Sequence, residues 1–172
     1  MEETVRTPAN IAGHPIHPML IPLPIGMWIL SFACDLAFVF GNGDPVWSTV
    51  ARYSMAGGII GALAAAVFGF IDLMSLPTEP RKTGLAHMSI NLLVVVLYVI
   101  NFWLRTRSPD NPGGLVWLSL AAILLLVVSG LLGGKMVYVM RVAVSEPGDS
   151  TRSPAGVRES PSGEPRHAAR RA

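Results

Sequence analysis

Four long apolar blocks, separated by short polar stretches, dominate the hydropathy pattern of this chain. They run from Met19 to Phe40, Tyr53 to Leu76, Leu85 to Leu104 and Leu115 to Gly134. At about 1.5 Å per residue in a helix, each block is long enough to cross a hydrocarbon core roughly 30 Å thick. The pattern therefore predicts an all-α integral membrane protein, a four-transmembrane-helix bundle with short loops.

The composition supports this fold class and narrows the function. Of 172 residues, 51% are hydrophobic and 14% are charged, whereas about a quarter of the residues in a soluble domain are charged. Outside a C-terminal tail nearly every residue belongs to a predicted span or turn, so the chain has no room for a nucleotide-binding unit or an extramembrane catalytic domain. We therefore favour a protein that is not an enzyme, and the formal net charge of +2 indicates no nucleic-acid partner.

Three segments are predicted along the chain. Residues 1–18 form an N-terminal pre-helical segment with a His-Pro motif, residues 19–141 form the four-helix transmembrane domain, and residues 142–172 form a tail. The tail is rich in Pro, Ser, Gly and Arg. It has too few apolar residues to offset the entropy of ordering, so we expect it to be disordered.

The distribution of basic residues predicts the orientation of the spans, because Lys and Arg are enriched on the cytoplasmic side. With cytoplasmic termini, the inner side carries Arg6, Arg81, Lys82, Lys135 and Arg141, and the outer side carries Arg52, Arg105 and Arg107. We expect a multi-pass protein of the inner (plasma) membrane with both termini in the cytoplasm.

Small residues repeat along the second and fourth spans. Gly57, Gly61, Ala65 and Gly69 follow one another at intervals of four residues, and Gly130 and Gly134 repeat this spacing in the fourth span. A helix face with so little side-chain volume lets a neighbouring helix approach closely. We expect these positions to be helix-packing positions.

The third span carries a polar stripe. His87, Asn91, Tyr98 and Asn101 lie on one helix face, because their spacings follow the helical period. Polar groups in hydrocarbon need partners, so this face is predicted to point into the bundle. Interhelical hydrogen bonding alone would explain Asn91, Tyr98 and Asn101.

A cluster of ionisable residues is predicted at one end of the bundle. His14 and His17 each precede a proline, which disfavours helical geometry, so we expect both before the first helix and on a common side. Four alternating spans bring them to the same membrane face as Asp72, at the end of span two, and His87, at the start of span three. Lys135 reaches that face as well.

Several ligands would suit His14, His17, His87 and Asp72 as one cofactor or metal site. Divalent metals accept mixed nitrogen and oxygen ligands, haem iron accepts two imidazoles, and a quinone headgroup accepts a hydrogen bond from histidine. The alternative is a structural cluster of hydrogen bonds and ion pairs that fastens the N-terminal segment to the bundle.

Asp35 is a second intramembrane acid. It lies about 24 Å deeper than Met19 along the helix, near the opposite face, and so cannot join the histidines. We expect it to reach interfacial water or Arg52. A proton path from Asp35 to Asp72 would need polar groups between them, and those available are Ser31, Asn91, Tyr98 and Asn101.

The placement of these residues resembles a family of bacterial membrane proteins known as domain of unknown function 2231. The features that carry the resemblance are Gly13-His14-Pro15-Ile16-His17-Pro18, Pro24, Asp35, Gly69, Asp72, His87 and the stretch from Gly130 to Tyr138. The resemblance covers about residues 10–140. It implies a four-span fold and, because some relatives are joined to iron-sulfur or cytochrome-like domains, an association with membrane electron transfer. It carries no established activity.

The leading hypothesis is an inner-membrane protein that binds haem, a quinone or a divalent metal at the His/Asp cluster, at the cytoplasmic end of the bundle, in a redox setting. A structural or assembly subunit is the first alternative. A proton or ion conductor that uses Asp35 and Asp72 is the second. The expected partners are the lipid bilayer, a membrane redox protein and a second copy of the chain.

Overall fold

The computed structural model describes residues 5, 7–107 and 115–144. In these residues two short strands, β1 (Asn10–Ile11) and β2 (His14–Pro15), precede five helices, which are α1 (Ile16–Leu20), α2 (Pro22–Phe40), α3 (Pro45–Ser75), α4 (Thr78–Arg107) and α5 (Val116–Tyr138). Four helical stretches are long and apolar enough to span a membrane, the first being α1 continued by α2. The predicted four-helix membrane fold is thus confirmed. Most of the predicted disordered tail, residues 145–172, lies outside the described residues.

The helices extend beyond the apolar blocks. Helix α3 begins at Pro45, and the Asp44 side chain caps it by accepting a hydrogen bond from the backbone N–H of Val46 at 2.9 Å. Helix α4 begins at Thr78 rather than near Leu85, so only Leu76 and Pro77 separate it from α3. Apolar blocks mark the part of a helix that lies in hydrocarbon, and so they underestimate helices whose polar ends project from it.

The first span begins earlier than the sequence indicates. His17 lies on α1 and not in an extended segment, although Pro18 follows it. Pro18 falls in the first turn of α1, where a missing N–H costs nothing because that amide has no intrahelical partner. The backbone N–H of Ile21 bonds the carbonyl of His17 at 3.2 Å, so α1 leads into α2 almost without a break.

Two helical hairpins make up the bundle. Helix α2 packs against α3 and α4 packs against α5, and each first helix also contacts the second helix of the other hairpin. Helices α2 and α4 face each other across the centre through large side chains. Trp28 of α2 stacks on Tyr98 of α4 with ring centroids 4.4 Å apart and planes within 5° of parallel. Met55, Val94 and Ala122 complete the buried cluster.

In the N-terminal segment, the described residues 5 and 7–15 fold over one end of the bundle. Strands β1 and β2 form a tight hairpin whose turn residues, Ala12 and Gly13, both have positive φ, as two-residue hairpin turns of this kind require. Val5 pairs with the chain after α5, since it donates to the carbonyl of Arg141 and accepts from the N–H of Ala143. The two ends of the described chain therefore meet on the same side of the bundle.

The glycines of α3 stand against the first span, as their spacing indicates. A Cβ atom at Gly57 or Gly58 would collide with Met27 or Trp28, and one at Gly61 would lie 3.1 Å from Leu23 Cδ2.

Helix α5 differs from expectation by one residue. A Cβ at Gly130 would meet no atom within 4 Å, and one at Gly134 would meet only Tyr138 of its own helix. The small residues that face α4 are instead Ser129 and Gly133, which have the same spacing of four.

Candidate functional site

The first half of the candidate site is His17 on α1. Its Nδ1 lies 2.8 Å from the carbonyl oxygen of Ala65 on α3. Because a carbonyl oxygen only accepts, Nδ1 carries the proton and donates, and in the neutral ring Nε2 keeps its lone pair. The ring packs on Gly69, where a Cβ atom would lie 2.8 Å from it. Gly69 is thus required to be small by the imidazole and not by a neighbouring helix backbone.

The second half is His87 on α4. Its Nδ1 lies 2.9 Å from the carbonyl oxygen of Ser129 on α5, and the Ser129 hydroxyl lies 3.0 Å from the same nitrogen. The ring packs near Gly133, whose added Cβ would lie 3.2 Å from Cε1. The Asn91 amide nitrogen lies 3.0 Å from Nε2 and also donates to the His87 carbonyl.

These two half-sites have the same construction. Each imidazole donates from Nδ1 to a carbonyl of the neighbouring helix and packs on the glycine four residues after that carbonyl. The two ring centroids are 6.4 Å apart and the ring planes are perpendicular, in a T-shaped, edge-on arrangement. We call His17 and His87 the histidine pair, and the end of the bundle that holds them the histidine end.

The other two residues of the expected four-residue cluster, His14 and Asp72, have their hydrogen-bond partners outside the histidine pair. His14 lies in β2, is exposed, and donates from Nδ1 to the carbonyl of Ala12 at 3.1 Å. Asp72 is buried and accepts a hydrogen bond from the backbone N–H of Ala9 at 2.8 Å. Among the described residues, no three His, Cys, Asp or Glu side chains are grouped so that they could hold a metal ion. Through its hydrogen bond to Ala9, Asp72 fastens the N-terminal segment to the bundle. Lys135 is exposed near the histidine end.

An internal repeat, which the sequence reading missed, explains the matching half-sites. Three pairs of side chains that meet across the bundle centre are each separated by 70 residues: His17 and His87, Trp28 and Tyr98, and Asp35 and Arg105. The same offset relates Pro24 to Val94 and Ser31 to Asn101. In the second helices, Ala65 matches Ser129 and Gly69 matches Gly133, both at a separation of 64 residues. The two hairpins are thus related by an approximate two-fold arrangement. Its signal in the sequence is limited to the identical pairs His17/His87 and Gly69/Gly133, because the other paired positions hold different residues.

Asp35 forms a buried ion pair at the other end, which we call the ion-pair end. Both carboxylate oxygens accept from the two terminal nitrogens of Arg105, and each of the two residues is 1% exposed. Arg105 Nε donates to Asn101 at 2.8 Å, Asn101 donates to Ser119 at 2.9 Å, and Ser119 donates back to Asp35 at 3.2 Å. The expected partner, Arg52, is not part of this network.

Three buried polar atoms between the two ends have no hydrogen-bond partner among the described residues. They are Trp28 Nε1, Ser31 Oγ and the Tyr98 hydroxyl. On the histidine side of them, Pro24 and Val94 form an apolar layer in which both residues are buried. Asp35 and Asp72 therefore lie at opposite ends of the bundle. The apolar layer of Pro24 and Val94 interrupts the row of polar side chains between them.

The fold and the site together define a four-span membrane protein with an intramembrane histidine pair and a buried ion pair. The chain belongs to the family described as "Predicted membrane protein (DUF2231)", whose profile matches residues 13–146. The resemblance seen in the sequence is thereby confirmed. No curated protein and no solved structure matches the chain.

Proposed function

We propose that this protein binds one haem between His17 and His87 and carries electrons in the membrane. The observation that carries the proposal is the pair of imidazoles, held in the same way by two hairpins at a centroid separation of 6.4 Å. The chain has a single cysteine and therefore no Cys-x-x-Cys-His motif, so the haem would be held by coordination and packing alone.

The separation of the rings would let His17 and His87 hold one iron ion between them. An imidazole nitrogen bound to a metal at about 2.0 Å places its ring centroid about 3.1 Å from the metal. Two imidazoles that held one ion between them would have centroids about 6.2 Å apart, close to the separation found here. The hydrogen bonds from Nδ1 to the carbonyls of Ala65 and Ser129 are the kind that fix the tautomer and orientation of a ligating histidine.

A site made of His17 and His87 alone suits a divalent metal or a quinone less well than haem. A divalent metal bound by the protein alone needs more than two side-chain ligands, whereas haem iron takes four of its nitrogens from the porphyrin and needs two. A quinone oxygen needs a hydrogen-bond donor. The ring N–H groups of His17 and His87 already donate to carbonyls, and the remaining Nε2 atoms are acceptors.

The residues around the histidine pair would each contribute to haem binding. Haem supplies a one-electron couple at its iron. Ala65 and Ser129 orient the two rings, and Gly69 and Gly133 give them room against α3 and α5. Asn91 would release Nε2 of His87 and keep its second hydrogen bond, the one to the His87 carbonyl. An apolar surround disfavours charge and excludes water, which tunes the reduction potential.

Substitution of each histidine tests the proposal. His17→Gln and His87→Gln should each abolish the Soret absorbance of the full chain purified in mild detergent from haem-replete cells, because glutamine keeps some hydrogen bonding but is no ligand for iron. His14→Gln is the matched control and should retain the haem, since His14 is exposed and bonds only Ala12. Asn91→Ala should also retain it.

The alternative of a purely structural cluster predicts a different pattern. In that case the full chain carries no haem, and His87→Gln and Asn91→Ala destabilise the bundle to a similar, small extent, on the order of 1 kcal/mol each. The comparison of Asn91→Ala with His87→Gln separates the two functions, because only the haem proposal assigns the two residues different roles.

A further inference from the structure

Several hydrogen-bonding groups near the ion-pair end have no partner among the residues that the structure describes. The guanidinium of Arg105 has five N–H groups, of which one reaches Asn101 and two reach Asp35. The two outer N–H groups have no acceptor among the residues that the structure describes. Ser31 Oγ and the Tyr98 hydroxyl are buried in the same region, and neither has a partner there.

The donors occupy neighbouring layers of one region. Ser31 lies four residues before Asp35 on the same face of α2, and Tyr98 lies seven residues before Arg105 on α4. Along a helix the Ser31 layer is therefore about 6 Å from the ion pair and about 4.5 Å from the Tyr98 layer. Arg105 Nε bonds Asn101, which lies at the level of Ser31, so the guanidinium extends back toward that layer. One hydrogen-bonded molecule beside Ser31 can therefore lie between the guanidinium and the Tyr98 hydroxyl.

We propose that ordered water binds in the core beside Ser31, where it links the Tyr98 hydroxyl to the Asp35–Arg105 ion pair. Water is the ligand that this chemistry fits, because it donates and accepts, as the Ser31 and Tyr98 hydroxyls do, and is small enough for an enclosed core. Buried polar groups in proteins are nearly always hydrogen-bonded, and internal water commonly satisfies those that the protein leaves over. The site is independent of the histidine pair and of any cofactor there.

The sign of a stability change tests this proposal. A hydroxyl without any partner destabilises a core, so its removal leaves the protein as stable or makes it more stable. A hydroxyl that holds water loses those bonds when it is removed. We therefore expect Ser31→Ala and Tyr98→Phe each to lower the apparent melting temperature of the full chain in detergent by about 2–4 °C.

Matched controls and a second measurement complete the test. Ser89→Ala and Tyr138→Phe remove the same groups at exposed positions and should leave the melting temperature unchanged. A density map of the full chain in lipid, at a resolution that shows ordered water, should contain a water within about 3.2 Å of Ser31 Oγ. The proposal is overturned if either core variant is unchanged or more stable, or if such a map shows no water at Ser31.

Discussion

Asp35 and Arg105 face each other across the bundle centre as a buried, two-pronged ion pair, at equivalent positions of the two repeats. Each lies 18 residues after one member of the histidine pair. The ion-pair end and the histidine end are therefore about 27 Å apart along the helices, nearly the thickness of a hydrocarbon core. The approximate two-fold arrangement thus places one polar pair near each membrane face.

Breaking the ion pair should destabilise the protein strongly. Asp35→Leu leaves the Arg105 guanidinium buried without its counter-charge, and Arg105→Met does the reverse, at a cost of about 3–5 kcal/mol each. The double variant should be closer to the wild type than either single variant, because no unpaired charge remains. Arg52→Met is the control and should have little effect. Thermal unfolding in detergent measures all four, and equal losses from Arg52→Met and Arg105→Met would contradict the assignment.

Added bulk should be tolerated on one glycine face and not on the other. Gly61→Leu forces a branched side chain against Leu23 and Pro24, so we expect a loss of about 1–3 kcal/mol or more. Gly130→Leu adds the same side chain where a Cβ meets nothing within 4 Å, and it should be nearly neutral. Melting temperatures of the two variants compare them directly. A larger loss at Gly130 would mean that α5 presents a different face to the bundle.

Asp72 should control the attachment of the N-terminal segment. Its carboxylate accepts from the N–H of Ala9, so Asp72→Leu removes the acceptor and should speed the exchange of that amide hydrogen. Asp72→Asn keeps an acceptor oxygen and should preserve most of the protection. Site-resolved hydrogen exchange of the full chain measures this, and equal protection in Asp72→Leu and the wild type would show that the contact does not hold the segment.

Both chain ends are expected on the cytoplasmic side. The ion pair strengthens this prediction, because Arg105 is neutralised by Asp35 inside the bundle and does not count as a free outer charge. In a Cys34→Ala background, Lys82→Cys should resist a membrane-impermeant thiol reagent in intact cells, whereas Asn42→Cys should react. Reaction at Lys82→Cys with protection at Asn42→Cys would show the opposite orientation.

The sequence predicted the four spans because length and hydropathy alone decide whether a helix can cross a membrane. It also placed His87 and Asn101 on the inward face of α4, since helical periodicity fixes which residues share a face. It failed at Arg105, whose place near the end of an apolar block made it look like an interfacial charge. A single sequence gives no contacts between helices, and the repeat that would have paired Arg105 with Asp35 is weak in residue identity.

The two His-Pro dipeptides show a second limit of prediction from the sequence. His14 and His17 have the same local sequence, which suggested the same role for both. Their structures differ because His17 falls inside the first turn of α1 and His14 falls in β2. Which of two similar histidines enters a helix depends on how the preceding segment folds over the bundle, and the repeat itself carries no such information.

The visible absorption spectrum of the full chain shows whether His17 and His87 hold a haem. Protein purified in mild detergent from haem-replete cells should show a Soret band and, after reduction, the sharp bands of a six-coordinate low-spin haem, at one haem per chain. That result is expected because His17 and His87 would each hold the haem iron through an imidazole nitrogen. A correctly folded chain without a Soret band, even after titration with hemin, would contradict the account.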